Sequence, residues 1–264
     1  MDFLQRENSP LTEKQWQQID LTVIETAKKV LVGRRFLSIF GPLGAQTQTI
    51  AADIYEIADT LEPKRKYLPL KMLYEDFELL WNDLEYSKKN LLPLDMSKVS
   101  YAAQNCAKKE DELIFWGCNE LGLEGIMTAK GVNRLQKSDW KTGENAYVDV
   151  AKGVEMLLQK GYVGSFVLVM SPDLFVQLQR IQPSTGMLEY ERIRKFLDGN
   201  VYKTPVLGND RAVLLSSDPS SIDLVIGQDM ITAYAGNNKL DHEFRIFETV
   251  VLRIKRKDSI VIFE

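Results

Sequence analysis

A chain of 264 residues, 45% hydrophobic and 27% charged, has the make-up of a globular protein with one large core or two modest ones. Its formal net charge of -4 excludes a general nucleic-acid binder, which would present a basic face. No apolar run is long enough to span a bilayer and none follows the first charges, so neither a membrane span nor a signal peptide is expected.

Residues 1–10 read as an arm. A well-marked helix start follows, with Thr12 as N-cap, Gln15 as its capping-box partner and Leu11 set against Trp16 as a hydrophobic staple. Trp16, Ile19, Val23, Ala27 and Val30 then step by three and four along one face, and Gly33 is the expected end. Such a stripe ordinarily packs on its own core. The short basic clusters Gly33-Arg34-Arg35, Lys64-Arg65-Lys66 and Arg253 to Lys257 are expected to be solvated or at subunit contacts. Phe36 to Gly44 alternates bulk and ends in a Gly-Pro turn. Residues 45–70 lack a core of their own and read as a strand pair or extended loop reaching away from the body, turning near Glu62-Pro63. Leu73 to Tyr86 fits strand or helix by pattern alone.

The rest of the chain is organised around Pro93 to Met127. Asp95 or Ser97 can cap a helix there, and Val99, Ala102, Ala103, Cys106, Leu113, Ile114 and Gly117 recur at helical spacing. The helix would run roughly 30 Å at about 1.5 Å per residue, with Gly122 and Gly125 suited to a left-handed stop. Glu110 falls inside the apolar stripe and therefore needs a partner; a structural ion pair is the expected reading, not a catalytic acid. Cys106 and Cys118, roughly 18 Å apart if on one helix, are expected as reduced thiols of a cytoplasmic protein.

Gly131 to Asn145 is turn-rich, a plausible crossover. Tyr147 to Lys160 reads as a helix with Val148, Val150, Ala151, Val154, Met156 and Leu157 on one side, and Phe166 to Met170 as a buried strand. Ser171-Pro172-Asp173 starts a helix expected to reach Ile181, a loop covers Gln182 to Gly186, and Leu188 to Leu197 is again helical. With strands at Val201–Val206 and Arg211–Ser216, Lys141 to Ser221 forms an α/β unit. The tail is strand-rich, at Ile222–Ile226, Ile231–Tyr234, Glu243–Lys255 and Ser259–Phe263. The third of these puts Phe244, Ile246, Val250, Leu252 and Ile254 inward, with Arg and Glu outward.

Catalytic chemistry is scarce. The single histidine, His242, sits where a structural role is expected. Gly41-Pro42-Leu43-Gly44 lacks the Lys-Ser/Thr of a phosphate loop, and the acidic pairs Glu110-Asp111 and Glu75-Asp76 face different directions. No catalytic residue and no metal site is expected. The pattern alone describes an α+β protein without an evident active site.

Pro10 to Gly44 (PLTEKQWQQID…VGRRFLSIFGPLG) resembles the N-terminal signature of the encapsulins, shell proteins of nanocompartments earlier described as linocin-type bacteriocins. The likeness continues through KEDELIFWGCNELGLEGIM, LVMSPDLFVQLQRI and HEFRIFETVVLRIKRKDSIVIFE, and so covers nearly the whole chain. It implies the tailed-phage major capsid protein fold. Residues 1–44 would be the arm and inner-wall helix, 45–72 the extended loop and 73–140 the peripheral domain with its spine helix. Residues 141–221 would be the axial domain and 222–264 further peripheral strands. The loop at the five-fold pore would be Gln182, Pro183, Ser184, Thr185, Gly186 and Met187. The resemblance also implies a self-assembling icosahedral shell that encloses a cargo enzyme, such as a ferritin-like iron oxidase or a peroxidase, docked by a C-terminal peptide. The groove for that peptide would draw on Trp16, Ile19, Val23, Ala27 and Val30, with Asp229, Met230 and Ile231 on the second wall and Arg34 pairing a carboxylate of the cargo tail. Some family members bind flavin near an aromatic at a symmetry junction; Trp81 is nearby in sequence but does not align, so no cofactor is expected. The extended loop is shorter than in the best-matching relatives. The alternatives are a phage or prophage major capsid protein, against which the built-in N-terminal helix argues, and a bacteriocin or hydrolase, for which the residues are lacking.

Overall fold

The computed structural model describes residues 3–54, 64–182 and 186–264. In chain order the elements are α1 (Glu13–Val30), β1 (Ser38–Phe40), β2 (Thr49–Ile54), β3 (Lys64–Pro69), β4 (Lys71–Leu79), α2 (Trp81–Asn90) and α3 (Ser97–Trp116). Then come β5 (Gly117–Cys118), β6 (Leu123–Glu124), β7 (Asn133–Leu135), α4 (Asn145–Gln159), β8 (Phe166–Met170), α5 (Pro172–Gln177) and α6 (Glu189–Phe196). The chain closes with β9 (Val201–Lys203), β10 (Ala212–Ser216), β11 (Ile222–Asn238), β12 (Asp241–Ile254) and β13 (Ile260–Phe263).

Two sheets carry the architecture. One has the order β1-β11-β12-β4, the other β7-β13-β10-β8-β9. Helix α3 lies on the first sheet and α1 lies on α3. The stripe expected of the spine is buried, Val99, Ala103, Cys106 and Ile114 being fully enclosed. The second sheet is buried on both faces, which is why Phe166 to Met170 is an unbroken apolar run. Val167, Val169, Val213, Leu215, Ile260 and Ile262 join the core of the first sheet. Leu168, Met170, Ala212, Leu214, Val261 and Phe263 face α4, α5 and α6.

Several expectations are corrected. The second sheet takes β7 and β13 from outside 141–221, so the chain's last strand is not part of the first sheet. Leu73 to Tyr86 holds both alternatives, the end of β4 and the start of α2. Val148 is exposed, off the buried face of α4, and α5 stops at Gln177, short of Ile181. The strand expected at Val201–Val206 ends at Lys203, because Pro205 opens a single helical turn. Ile222–Ile226 and Ile231–Tyr234 are one strand, β11, interrupted by register shifts between Ile226 and Ile231. Residues 45–70 do form a strand pair, β2 with β3, registered from Thr49↔Pro69 to Ile54↔Lys64; the turn expected near Glu62-Pro63 lies outside the described residues.

The stop of α3 also differs. Gly117, at φ 73°, ends it, and Gly122 reverses the chain only after a further turn. Gly125 serves close approach: a Cβ there would lie 2.4 Å from the Gly117 amide nitrogen and 2.5 Å from the Phe115 carbonyl. Backbone cannot move aside as a side chain can. Gly125→Ala is expected to cost about 3 kcal/mol, read as a lowered midpoint in chemical denaturation; an unchanged midpoint would show that the β5–β6 hairpin can shift freely.

Candidate functional site: a groove beside the first helix

Helix α1 begins as its capping box dictates. Thr12 Oγ1 accepts the Gln15 amide at 3.4 Å, and Gln15 Oε1 accepts the Thr12 amide at 2.9 Å. The N-terminal arm latches over its first turns. Arg6 makes two 2.7 Å bonds to Asp20, stacks over the Trp16 ring at 4.4 Å and donates through Nε to the Thr232 carbonyl. The face carrying Trp16, Ile19, Val23 and Ala27 is buried, whereas Ile24 is exposed on its shoulder and Leu21 on the far side of the helix.

Past Val30 the chain turns tightly onto α3. The Val32 and Gly33 amides donate to the buried carboxylate of Asp111 at 3.0 and 2.9 Å. Gly33 is not a left-handed helix stop. It is a contact point, where a Cβ would come 2.3 Å from Ile114 Cδ1. Burial pushes the Asp111 carboxyl up to about 6, against the lowering effect of those two amides.

That turn aims Arg34 inward. Of the settings expected for it (solvated, at a subunit contact or paired with a cargo carboxylate) the solvated one does not hold, and its carboxylate partners lie within the chain. Arg34 Nε lies 2.9 Å from Glu110 Oε2, Nη2 lies 2.6 Å from the same oxygen and 2.7 Å from Glu248 Oε2, and Nη1 lies 2.7 Å from Asp229 Oδ1. Glu110 has its expected structural partner. Glu248 and Glu110 are fully buried, while the Asp229 side chain is 56% exposed. Burial works against the Arg34 charge, but its bonds to Glu110 and the surrounding carboxylates hold the proton more firmly than usual. Burial, then the charge of Glu110, raises the Glu248 carboxyl well above the ordinary range; Arg34 offsets only part of this. Glu248 was expected outward. Its position two residues from both Ile246 and Val250 puts it on the inward face of β12, and that parity was the available signal.

The register shifts in β11 build the second wall. Gln228 donates to Thr249 Oγ1 at 2.7 Å, where the strand leaves regular pairing, and Asp229 and Met230 bulge toward α1. Between them lies a cavity of about 300 Å³. Val23, Ala27, Leu31 and Met230 give it apolar walls, Ile24, Lys28 and Arg35 stand at its rim, and the Arg34–Asp229 pair closes one end. Arg35 Nη2 also donates to the Lys29 carbonyl at the end of α1.

Of the residues expected to form a groove, Val23, Ala27, Arg34, Asp229 and Met230 are brought together. Trp16 and Ile19 are core: Trp16 meets Phe244 edge-on at 5.6 Å and Ile19 is fully enclosed. Val30 packs against the small cluster of Ala27, Leu31 and Ala107, and Ile231 pairs with Phe247 in the sheet; neither lines the cavity. Ile24, Lys28, Leu31 and Arg35 were missed. Ile24 was detectable as an apolar residue one position off the stripe.

The other candidates are separate. In the loop at 182–187, Pro183, Ser184 and Thr185 lie outside the described residues. Gln182 is buried and anchored, donating through Nε2 to the Gly143 carbonyl at 2.8 Å and to buried Glu189 at 3.0 Å; Gly186 and Met187 are exposed. Trp81 is half-exposed at the start of α2, its amide bound to Asp241. His242 Nδ1 lies 3.0 Å from the Tyr234 hydroxyl. Among the described residues no cluster of His, Cys, Asp and Glu could hold a metal, and no helix is long and apolar enough to cross a membrane.

Comparison with known proteins places this geometry in a family. Residues 1–251 match the family model described as "Encapsulating protein for peroxidase". The type 1 encapsulin shell protein EncA of Myxococcus xanthus is 37% identical over 277 residues, covering 100% of this chain and 96% of the relative. The virus-like particle from Pyrococcus furiosus superposes with a TM-score of 0.81 at 21% identity, covering 96% of this chain and 100% of that one. The capsid protein of Myoviridae phage XM1 gives 0.62 at 14% identity, covering 92% and 91%. The fold is therefore the α+β fold of tailed-phage major capsid proteins. With the family model matched across nearly the whole sequence and a shell protein matched end to end, the chain belongs to the encapsulin family of shell proteins.

Proposed function

We propose that this chain assembles with copies of itself into a closed icosahedral shell in the cytoplasm and holds a cargo enzyme by that enzyme's C-terminal peptide. The peptide lies in the groove between α1 and the bulge of β11. One observation carries this reading: the groove is an open apolar cavity set against a well-anchored helix, with the Arg34–Asp229 ion pair at one end. An extended peptide can bury alternate apolar side chains there, as helix-flanked grooves commonly allow. The shell itself works as a container; among the described residues no group of His, Cys, Asp and Glu could hold a metal. The net charge of -4 is consistent with a protein cargo and gives no attraction for nucleic acid.

The test uses shells purified from the cells that make them, with any co-purifying protein identified by mass spectrometry. Ile24→Asp places a carboxylate at the rim, where Ile24 is 46% exposed, and leaves the core intact. Uniform hollow particles are expected in negative stain with cargo reduced at least about tenfold, the loss of roughly 1.4 kcal/mol or more of docking. Deleting the cargo's C-terminal peptide should have the same effect. Full loading of Ile24→Asp shells would put the dock elsewhere.

A further inference from the structure

Three carboxylates converge on the single guanidinium that closes the groove. Two of them, Glu110 and Glu248, are fully buried; the third, Asp229, stands at the lip in contact with water. Glu248 Oε1 is buried without a hydrogen-bond partner, so that carboxyl is held through its other oxygen alone. One cation cannot balance two buried anions and an exposed one, and electrostatic attraction is strongest where water is excluded. The exposed contact, Arg34 to Asp229, is the weakest of the three because solvent screens it.

We propose that Glu248 is a positioning residue of the groove: while it carries its proton, Arg34 holds Asp229 at the lip, and loss of that proton draws the guanidinium inward and frees the lip. Asp229 Oδ1 also accepts the Met230 amide at 2.8 Å, so freeing Asp229 loosens Met230, an apolar wall of the cavity. The consequence for cargo rests on the docking reading above; the movement of the lip does not.

The neighbouring charges allow this. From α3 the cluster is faced by Cys106, Lys109, Glu110 and Asp111, from the turn after α1 by Arg34 and Arg35, from β11 by Asp229 and from β4 by Glu75. Lys109 is engaged by Glu75, and burial keeps Cys106 a neutral thiol, so neither adds a free charge beside Glu248. Glu248 binds its proton more tightly in the folded than in the unfolded chain. Its stabilising contribution is therefore full at low pH and is lost as pH rises through the folded value. Asp111 behaves with the same sign, but its loss is complete just above pH 6.

The experiment is hydrogen exchange of residues 228–231 in assembled, empty shells, read by mass spectrometry across a pH series and corrected for intrinsic exchange. Protection is expected to fall about tenfold per pH unit above a single midpoint, as for one proton released. Glu248→Gln, which cannot ionise, should stay protected throughout the series. A flat profile in the unaltered shell, or the same profile in Glu248→Gln, would overturn the proposal. Should Glu248→Gln not assemble, Glu110→Gln serves instead. Removing the neighbouring charge should move the midpoint to lower pH, and an unmoved midpoint counts against Glu248. Because no cargo is present, failure here is distinct from failure of the docking reading, which the Ile24→Asp shells decide.

Discussion

Arg34→Ala is expected to abolish shell formation. The substitution leaves Glu110 and Glu248 facing each other at zero exposure with no cation between them. Breaking a buried pair from one side costs about 3–5 kcal/mol, because the remaining charge stays buried without compensation. That is a large share of the roughly 5–15 kcal/mol by which domains are stable. Arg34→Lys should be milder: it keeps the charge but cannot reproduce a fork that engages three carboxylates at once. The measurement is particle yield by size-exclusion chromatography with negative-stain microscopy. Adding Glu110→Gln and Glu248→Gln to Arg34→Ala should restore part of the yield, since the uncompensated charge is then gone. Normal particles from Arg34→Ala alone would mean that the cluster does not hold α1, α3 and the sheet together.

The second large effect separates two adjacent residues of α1. Val23→Asp should prevent folding, while Ile24→Asp should form shells. Val23 is 2% exposed and packed in the main core, so an aspartate there is a buried carboxylate without a partner. A penalty of several kcal/mol is expected, together with the loss of apolar burial, about 1.5–3 kcal/mol for a side chain of this size. Soluble yield and the far-ultraviolet circular dichroism of the two variants check this. Intact but empty Val23→Asp shells would make the inner face of α1 part of the dock itself and not the core.

Much of this was legible along the chain because it depends on near neighbours. The capping box at Thr12 and Gln15, the spacing of Val99 to Ile114 and the apolar run at Phe166 to Met170 are local patterns with local causes. Even the need for a partner at Glu110 could be read, since a carboxylate within a buried stripe has few alternatives. The partner's identity could not. Arg34 reaches Glu110 across 76 positions and Glu248 across 214, and only the tight turn at Gly33, closed by Asp111, points it there.

The groove divides in the same way. Sequence periodicity identified α1 and its apolar stripe, but a stripe is a face, and a face is either core or surface according to what packs on it. Packing on α3 and the first sheet consumed Trp16, Ile19 and most of Val23, leaving Ile24 at the rim and Leu31 in the wall of the cavity beside the bulge. In the sequence that bulge looked like a gap between two strands. In the structure it is one strand, with Asp229 and Met230 displaced from the ladder. Composition, periodicity and capping thus determined the elements of this protein, while its family resemblance rested on whole segments such as PLTEKQWQQID and HEFRIFETVVLRIKRKDSIVIFE. The tertiary structure alone decided which apolar residues stay open and which charges meet, because both depend on contacts between segments some two hundred positions apart.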